Sequence, residues 1–196
     1  MLVGSQPPPP APDRALTAGI TETHLPNGLR VLTKEVHSAP VVSFGVWYKV
    51  GSRNEHTGIT GISHLLEHMM FKGTRRYRVG EIARALFLNG ASFNANTFYD
   101  WTSYFETLAA DRLELAVRIE SDRMANSRIA KVDLESEMTV VRSELEGGEN
   151  DPETLLRQAV TAAAFQAHPY HWPVIGWRSD VEHMPREALW RYYKTY

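Results

Sequence analysis

In the first half of this chain, apolar residues alternate with polar ones or form continuous runs. In the second half, apolar residues recur at helical spacing. Asn27-Gly28 is a typical hairpin turn signal. The segments that we predict to be strands are 29–34, 41–50, 92–98 and 101–108. The last two are predicted to be joined around Tyr99-Asp100.

Helical spacing dominates the later part of the chain. The predicted helices are 62–71, 79–88, 110–126, 132–147, 152–167 and 185–196. Strands come first and helices later, which is typical of an α+β fold in which helices pack on a mainly antiparallel sheet.

The first predicted helix contains the sequence His64-Leu65-Leu66-Glu67-His68. Residues three and four apart lie on one face of a helix, so both imidazoles and the carboxylate point in one direction. Two converging imidazoles favour a divalent metal ion, usually zinc, and a neighbouring carboxylate can act as a general base. The order is H-x-x-E-H, the inverse of the common H-E-x-x-H zinc motif.

The residues around this motif are apolar on most sides of the helix. They are Ile62, Leu65, Leu66, Met69, Met70 and Phe71. The helix is therefore predicted to be buried, and a buried Glu67 without a partner would cost several kcal/mol. A metal site would satisfy the carboxylate and both rings, which favours it over a solvated helix face.

Composition narrows the chemistry that this chain can perform. Its 196 residues are 43% hydrophobic and 22% charged, as in an ordinary globular domain, and its net charge of −2 offers no basic surface for nucleic acid. There are no cysteines, so a disulfide framework and a thiolate zinc site are both excluded. A metal must be bound by histidine and carboxylate groups.

Residues 1–19 are expected to form a disordered proline-rich leader, since Pro7–Pro10 and Pro12 fall within it. Residues 20–196 are expected to form one catalytic domain that is truncated in its last helix. No signal peptide or membrane span is predicted. We therefore expect a soluble protein, with the bacterial cytoplasm and periplasm both left open as its location.

The predicted helix 132–147 carries candidates for a third ligand, because a catalytic zinc normally takes three from the protein. Its apolar stripe consists of Leu134, Met138, Val141 and Leu145. At about 100° per residue, Glu137 and Glu144 lie within roughly 20° of each other on one edge of this stripe. Helical geometry makes both carboxylates candidates and does not choose between them.

The segment 61–74 closely resembles the metal helix of the pitrilysin family, which includes insulin-degrading enzyme and the mitochondrial processing peptidases. Further segments similar to family landmarks are Asn94-Ala95-Asn96-Thr97, Asp100-Trp101-Thr102 and His168-Pro169-Tyr170. The family's third ligand is a glutamate 76 residues after the second histidine, and 144 − 68 = 76, so the resemblance selects Glu144. The family also has a supporting acidic residue seven positions before this third ligand, and that position is Glu137 here.

The resemblance implies a LuxS/processing-peptidase-like metallohydrolase half with one Zn²⁺ per chain, bound by His64, His68 and Glu144. It implies a metalloendopeptidase that hydrolyses extended or unstructured peptides through a zinc-activated water, with Glu67 as general base. Glu137 would orient one of the metal-binding histidines. The substrate would pair with an edge strand, where the expected contacts are Asn94, Ala95 and Asn96.

The resemblance also implies that this chain is not the whole enzyme. Family members are built from two related halves or subunits, and the second supplies an arginine and a tyrosine. We therefore expect a C-terminal half or a homo- or hetero-oligomeric partner. Two alternatives stay open: a non-catalytic zinc-binding subunit or scaffold of a processing-peptidase-like complex, and a metallohydrolase that acts on small molecules.

Overall fold

The computed structural model describes residues 18–196, so the predicted leader lies outside the described residues except for residues 18 and 19. The chain divides into two compact units, Met1–Pro40 and Val41–Tyr196. The described part of the first unit is an antiparallel hairpin of β1 (Ile20–His24) and β2 (Arg30–Lys34). Gly28 lies in its turn with φ of 89°, which confirms the turn signal.

The second unit contains a three-stranded antiparallel sheet. Its strands are β3 (Val41–Tyr48), β4 (Ser92–Thr97) and β5 (Thr102–Ala109), in the order β3-β5-β4. The pairs Ala95↔Tyr104 and Thr97↔Thr102 set the register of β4 on β5. Within the described residues β4 is an edge strand, and one side of its backbone remains available for pairing.

Seven α-helices accompany this sheet in residues 41–196. They are α1 (Ile62–Met69), α2 (Glu81–Leu88), α3 (Leu113–Asn126), α4 (Lys131–Glu149), α5 (Pro152–Ala164), α6 (Arg178–Val181) and α7 (Arg186–Thr195). The α+β prediction is therefore confirmed. The predicted helix start at Ala110 was wrong because Ala110–Arg112 forms a 3-10 turn before α3. None of the helices described in residues 18–196 has the length and apolar character that a membrane span requires.

Helix α1 is the most deeply buried helix near the sheet. Ile62 and Met69 are fully buried, and they share a core with Tyr104 of β5 and Val141 of α4. This burial confirms the expectation drawn from the apolar sequence around the histidines. Because α1 contacts both β4 and α4, the packing fixes its position relative to the edge strand and to the acidic helix.

The start of α1 is held by a carboxyl group from outside the helix. Glu55 accepts hydrogen bonds from the backbone N–H of Gly61, at 2.8 Å, and of Ser63, at 2.9 Å. An anionic group at a helix N-terminus satisfies otherwise unpaired N–H groups and interacts favourably with the helix dipole. Gly61 has φ of 87°, and a Cβ there would lie 2.3 Å from the carbonyl oxygen of Ile175, so glycine is required.

Candidate metal centre

Three potential ligand atoms from two helices converge on one point. The Nε2 atoms of His64 and His68 are 3.3 Å apart, and Glu144 Oε2 lies 3.7 Å from the first and 3.5 Å from the second. All three atoms lie within 4.8 Å of one another. The spacing of His64 and His68 on α1 and the packing of α4 against α1 produce this convergence.

The chemistry of these donors fits a divalent cation. Burial, and then the charge of His68, lowers the pKa of His64 to about 4, so this imidazole is neutral near pH 7 and has a free lone pair. Neutral imidazole nitrogens and a carboxylate oxygen are ligands that zinc accepts. A cation between them would attract all three groups.

Glu137 contacts His68 on the side of the ring away from this point. Its Oε1 lies 3.0 Å from His68 Nδ1, and its other oxygen forms an ion pair with Lys72. Because a carboxylate can only accept, His68 Nδ1 must donate, and in the neutral ring Nε2 is then the unprotonated nitrogen that faces the candidate site. Glu137 lies on α4 seven residues before Glu144, so one helix supplies both carboxylates.

Glu137→Gln is expected to lower zinc affinity by about 10- to 100-fold, the usual effect of losing a group that orients a ligand. Glutamine keeps the shape of the side chain but loses the charge that fixes the His68 tautomer. Competition with a chromogenic chelator measures the affinity directly. The control is Glu135→Gln on the same helix, where the side chain is 65% exposed; equal affinities for the two variants would contradict the expectation.

Glu67 lies beside the three candidate ligands. It is buried, and Thr97 Oγ1 donates a hydrogen bond of 2.5 Å to its Oε2. Burial raises the pKa of the Glu67 carboxyl, and the bond from Thr97 opposes this rise. A carboxyl group with a raised pKa is better matched to accepting and returning a proton near neutral pH.

The candidate ligands and Glu67 line an open cleft that continues along β4. The cleft also includes Phe71, Lys72, Asn94, Ala95, Asn96, Thr97 and Glu137. The side chains of Asn94 and Asn96 are exposed, whereas Ala95 is buried and Thr97 half-buried, as expected for a strand with alternating faces. The structure thus places the three predicted substrate contacts beside the candidate metal centre, and their role stays a prediction.

Two residues at this site were not assigned a role there from the sequence. Lys72 lies four residues after His68, a spacing that could have indicated a contact on the same side. Thr97 directly follows the predicted substrate contacts, but its bond to Glu67 crosses between β4 and α1. No local spacing in the sequence indicates a contact of that kind.

The fold and site together define a helix-on-sheet domain with a candidate centre of two histidines and one glutamate. A family model described as Insulinase (Peptidase family M16) matches residues 30–177. The chain therefore belongs to peptidase family M16, which confirms the resemblance to pitrilysin-type proteases.

Individual relatives agree with this membership. An uncharacterized zinc protease of Mycobacterium leprae is 39% identical over 175 residues, which are 89% of this chain and 39% of the relative. A probable mitochondrial-processing peptidase subunit beta of Arabidopsis thaliana is 33% identical over 89% of this chain and 33% of its own length. The crystal structure of a Helicobacter pylori protease matches with a TM-score of 0.86 and 31% identity, covering 90% of this chain and 43% of that one.

Proposed function

We propose that this chain is the metal-bearing part of a zinc endopeptidase that hydrolyses extended or unstructured peptides. The observation that carries the proposal is the convergence of His64, His68 and Glu144 within 4.8 Å beside the buried carboxylate of Glu67. The Mycobacterium leprae relative is named a zinc protease, which supports the same activity.

In this proposal His64, His68 and Glu144 hold one zinc ion per chain. Bound zinc supplies Lewis-acid chemistry: it polarises a carbonyl group and makes water more acidic. Glu67 takes the proton from the attacking water and returns it to the leaving amine. Glu137 keeps His68 in the tautomer that presents Nε2 to the site.

The edge strand β4 is the proposed binding surface for the peptide. An extended peptide can pair with the free edge through backbone hydrogen bonds, which supply affinity with little dependence on side chains. The cleft beside β4 leads to Glu67 and the candidate ligands. Backbone pairing at Asn94, Ala95 and Asn96 would therefore place the scissile bond near the metal centre.

The complete enzyme in this proposal includes a second half or partner subunit. This chain spans only between 33% and 43% of the length of the three relatives described above. The second half or partner would supply the arginine and tyrosine that complete the catalytic site around the substrate carbonyl. A homo- or hetero-oligomer is one way to bring the two parts together.

The proposal is tested by metal removal and restoration. Zinc content and cleavage of an unstructured fluorogenic peptide are measured for this chain alone and together with a complementing second half. One bound zinc per chain is expected, and cleavage should disappear on treatment with a chelator and return when zinc is added. The control is a matched sample treated with chelator that has already been saturated with zinc. This sample shows any effect of the chelator other than the removal of zinc.

Three results would overturn the proposal. A chain that binds no zinc after reconstitution would remove the metal centre. Zinc binding without peptide cleavage, even with the second half present, would favour the non-catalytic subunit. Cleavage that survives complete zinc removal would point to a different catalytic group.

A further inference from the structure

We propose that Thr97 is a positioning residue that holds the general base Glu67 in its catalytic orientation. The inference rests on the proposed function. Its starting point is the 2.5 Å hydrogen bond from Thr97 Oγ1 to Glu67 Oε2, which joins the edge strand to the metal helix. A bond from a hydroxyl to an ionised carboxylate is among the stronger hydrogen bonds in proteins.

The proton of the Thr97 hydroxyl has one preferred acceptor. Thr102 Oγ1 donates its own proton to the carbonyl oxygen of Val50 at 3.0 Å, so it could only accept from Thr97, and at 3.4 Å it is a distant acceptor. Glu67 Oε2 lies much closer, at 2.5 Å, so the Thr97 hydroxyl donates to Glu67. The hydroxyl is therefore a directed donor toward the base.

The position of Thr97 is fixed by the sheet. Thr97 pairs with Thr102 in the last register pair between β4 and β5. Its β-branched side chain also has few accessible rotamers. The hydroxyl is thus held by backbone pairing and by a stiff side chain, and it can restrain a neighbouring carboxylate.

The hydrogen bond distinguishes the two oxygens of Glu67. Oε2 accepts from Thr97, whereas Oε1 has no hydrogen-bonding partner among residues 18–196. Because Glu67 lines the cleft, this arrangement leaves Oε1 free for a proton from water. Restricting the carboxylate to one orientation avoids an entropic cost at the moment of reaction.

Thr97 also links the base to the proposed substrate strand. It directly follows Asn96 on β4, so the strand that would bind the peptide also fixes the orientation of Glu67. If Thr97 only stabilised the sheet, removal of its hydroxyl group would leave kcat unchanged. A positioning role makes kcat depend on the hydroxyl, while zinc affinity and KM do not.

The test compares Thr97→Val with Thr97→Ser in the zinc-loaded protein with its second half. Valine preserves the β-branched shape and removes the donor, whereas serine preserves the donor. We expect Thr97→Val to lower kcat about tenfold with KM within about twofold, and Thr97→Ser to recover most of the loss. The matched control is Thr107→Val on β5, where the hydroxyl contacts Ser43 Oγ at 3.0 Å outside the cleft.

Each outcome distinguishes this inference from the proposed function. If Thr97→Val keeps the kcat of the unmodified enzyme, or if Thr97→Ser is as impaired as Thr97→Val, the positioning role is wrong while the zinc protease stands. A parallel loss in Thr107→Val would show general damage to the sheet and also overturn it. An unmodified enzyme that binds no zinc or cleaves no peptide would instead refute the proposed function.

Discussion

Glu67→Gln is expected to reduce kcat for peptide cleavage by about a thousandfold, within the roughly 10²- to 10⁴-fold range of general base catalysis. The amide cannot accept the proton that the carboxylate takes from water. It can still accept the hydrogen bond from Thr97, so the local packing should survive. Zinc binding should also persist, because Glu67 is not among the three converging donors.

Peptide cleavage and zinc content are measured on the same preparations, together with the second half. Glu135→Gln provides the control, since its exposed side chain lies away from the cleft. A Glu67→Gln variant with more than about a tenth of the original kcat would exclude Glu67 as the principal base. Loss of zinc in this variant would assign Glu67 a part in metal binding instead.

The convergence of donors at the candidate metal centre could largely be predicted because its determinants are local. The i, i+4 spacing of His64 and His68 sets their common face on α1, and the seven-residue spacing of Glu137 and Glu144 does the same on α4. Selecting Glu144 required the family resemblance, since helical periodicity alone treated the two glutamates alike. The structure separates them: Glu144 faces both Nε2 atoms, and Glu137 faces His68 Nδ1.

Features that depend on distant segments could not be predicted in this way. The five residues of β1 are all exposed and carry no strong apolar pattern, so pairing with β2 defines this strand. Helix α6 has only four residues, too few for helical periodicity. The contact of Thr97 with Glu67 depends on how β4 packs against α1, which no spacing within either segment specifies.

A buried charge cluster behind the metal helix leads to the second large expected effect. Arg123 of α3 is 1% exposed, forms an ion pair with Glu120, and lies 3.3 Å from Glu106 Oε1 on β5. Its guanidinium group also lies over Tyr104, 4.2 Å from the ring centre, and over Phe71, 4.8 Å away. One cation thus lies beside two buried acidic side chains and packs against two aromatic rings.

Arg123→Met is expected to lower the free energy of unfolding by about 3–5 kcal/mol, the usual cost of removing one partner of a buried ion pair. Methionine replaces much of the aliphatic stem, so the loss arises mainly from two buried acidic side chains left without their cationic partner. Urea unfolding measures the change. Arg118→Met on the same helix is the control, because Arg118 is 65% exposed and pairs with an exposed Glu114; that variant should lose less than about 1 kcal/mol.

The pH dependence of this loss provides an independent check. Burial, and then the neighbouring Glu120, raises the pKa of Glu106 above its ordinary value. A carboxyl group whose pKa is raised in the folded state binds more protons there than in the unfolded chain. Its contribution to stability therefore declines as the pH rises from its unfolded pKa to its folded pKa. The folded pKa of Glu106 is raised to about 9 and removing Arg123 raises it further, so Arg123→Met should be more destabilising at pH 10 than at pH 7. A loss that is equal at both pH values would mean that packing against Tyr104 and Phe71, rather than charge compensation, is what Arg123 contributes.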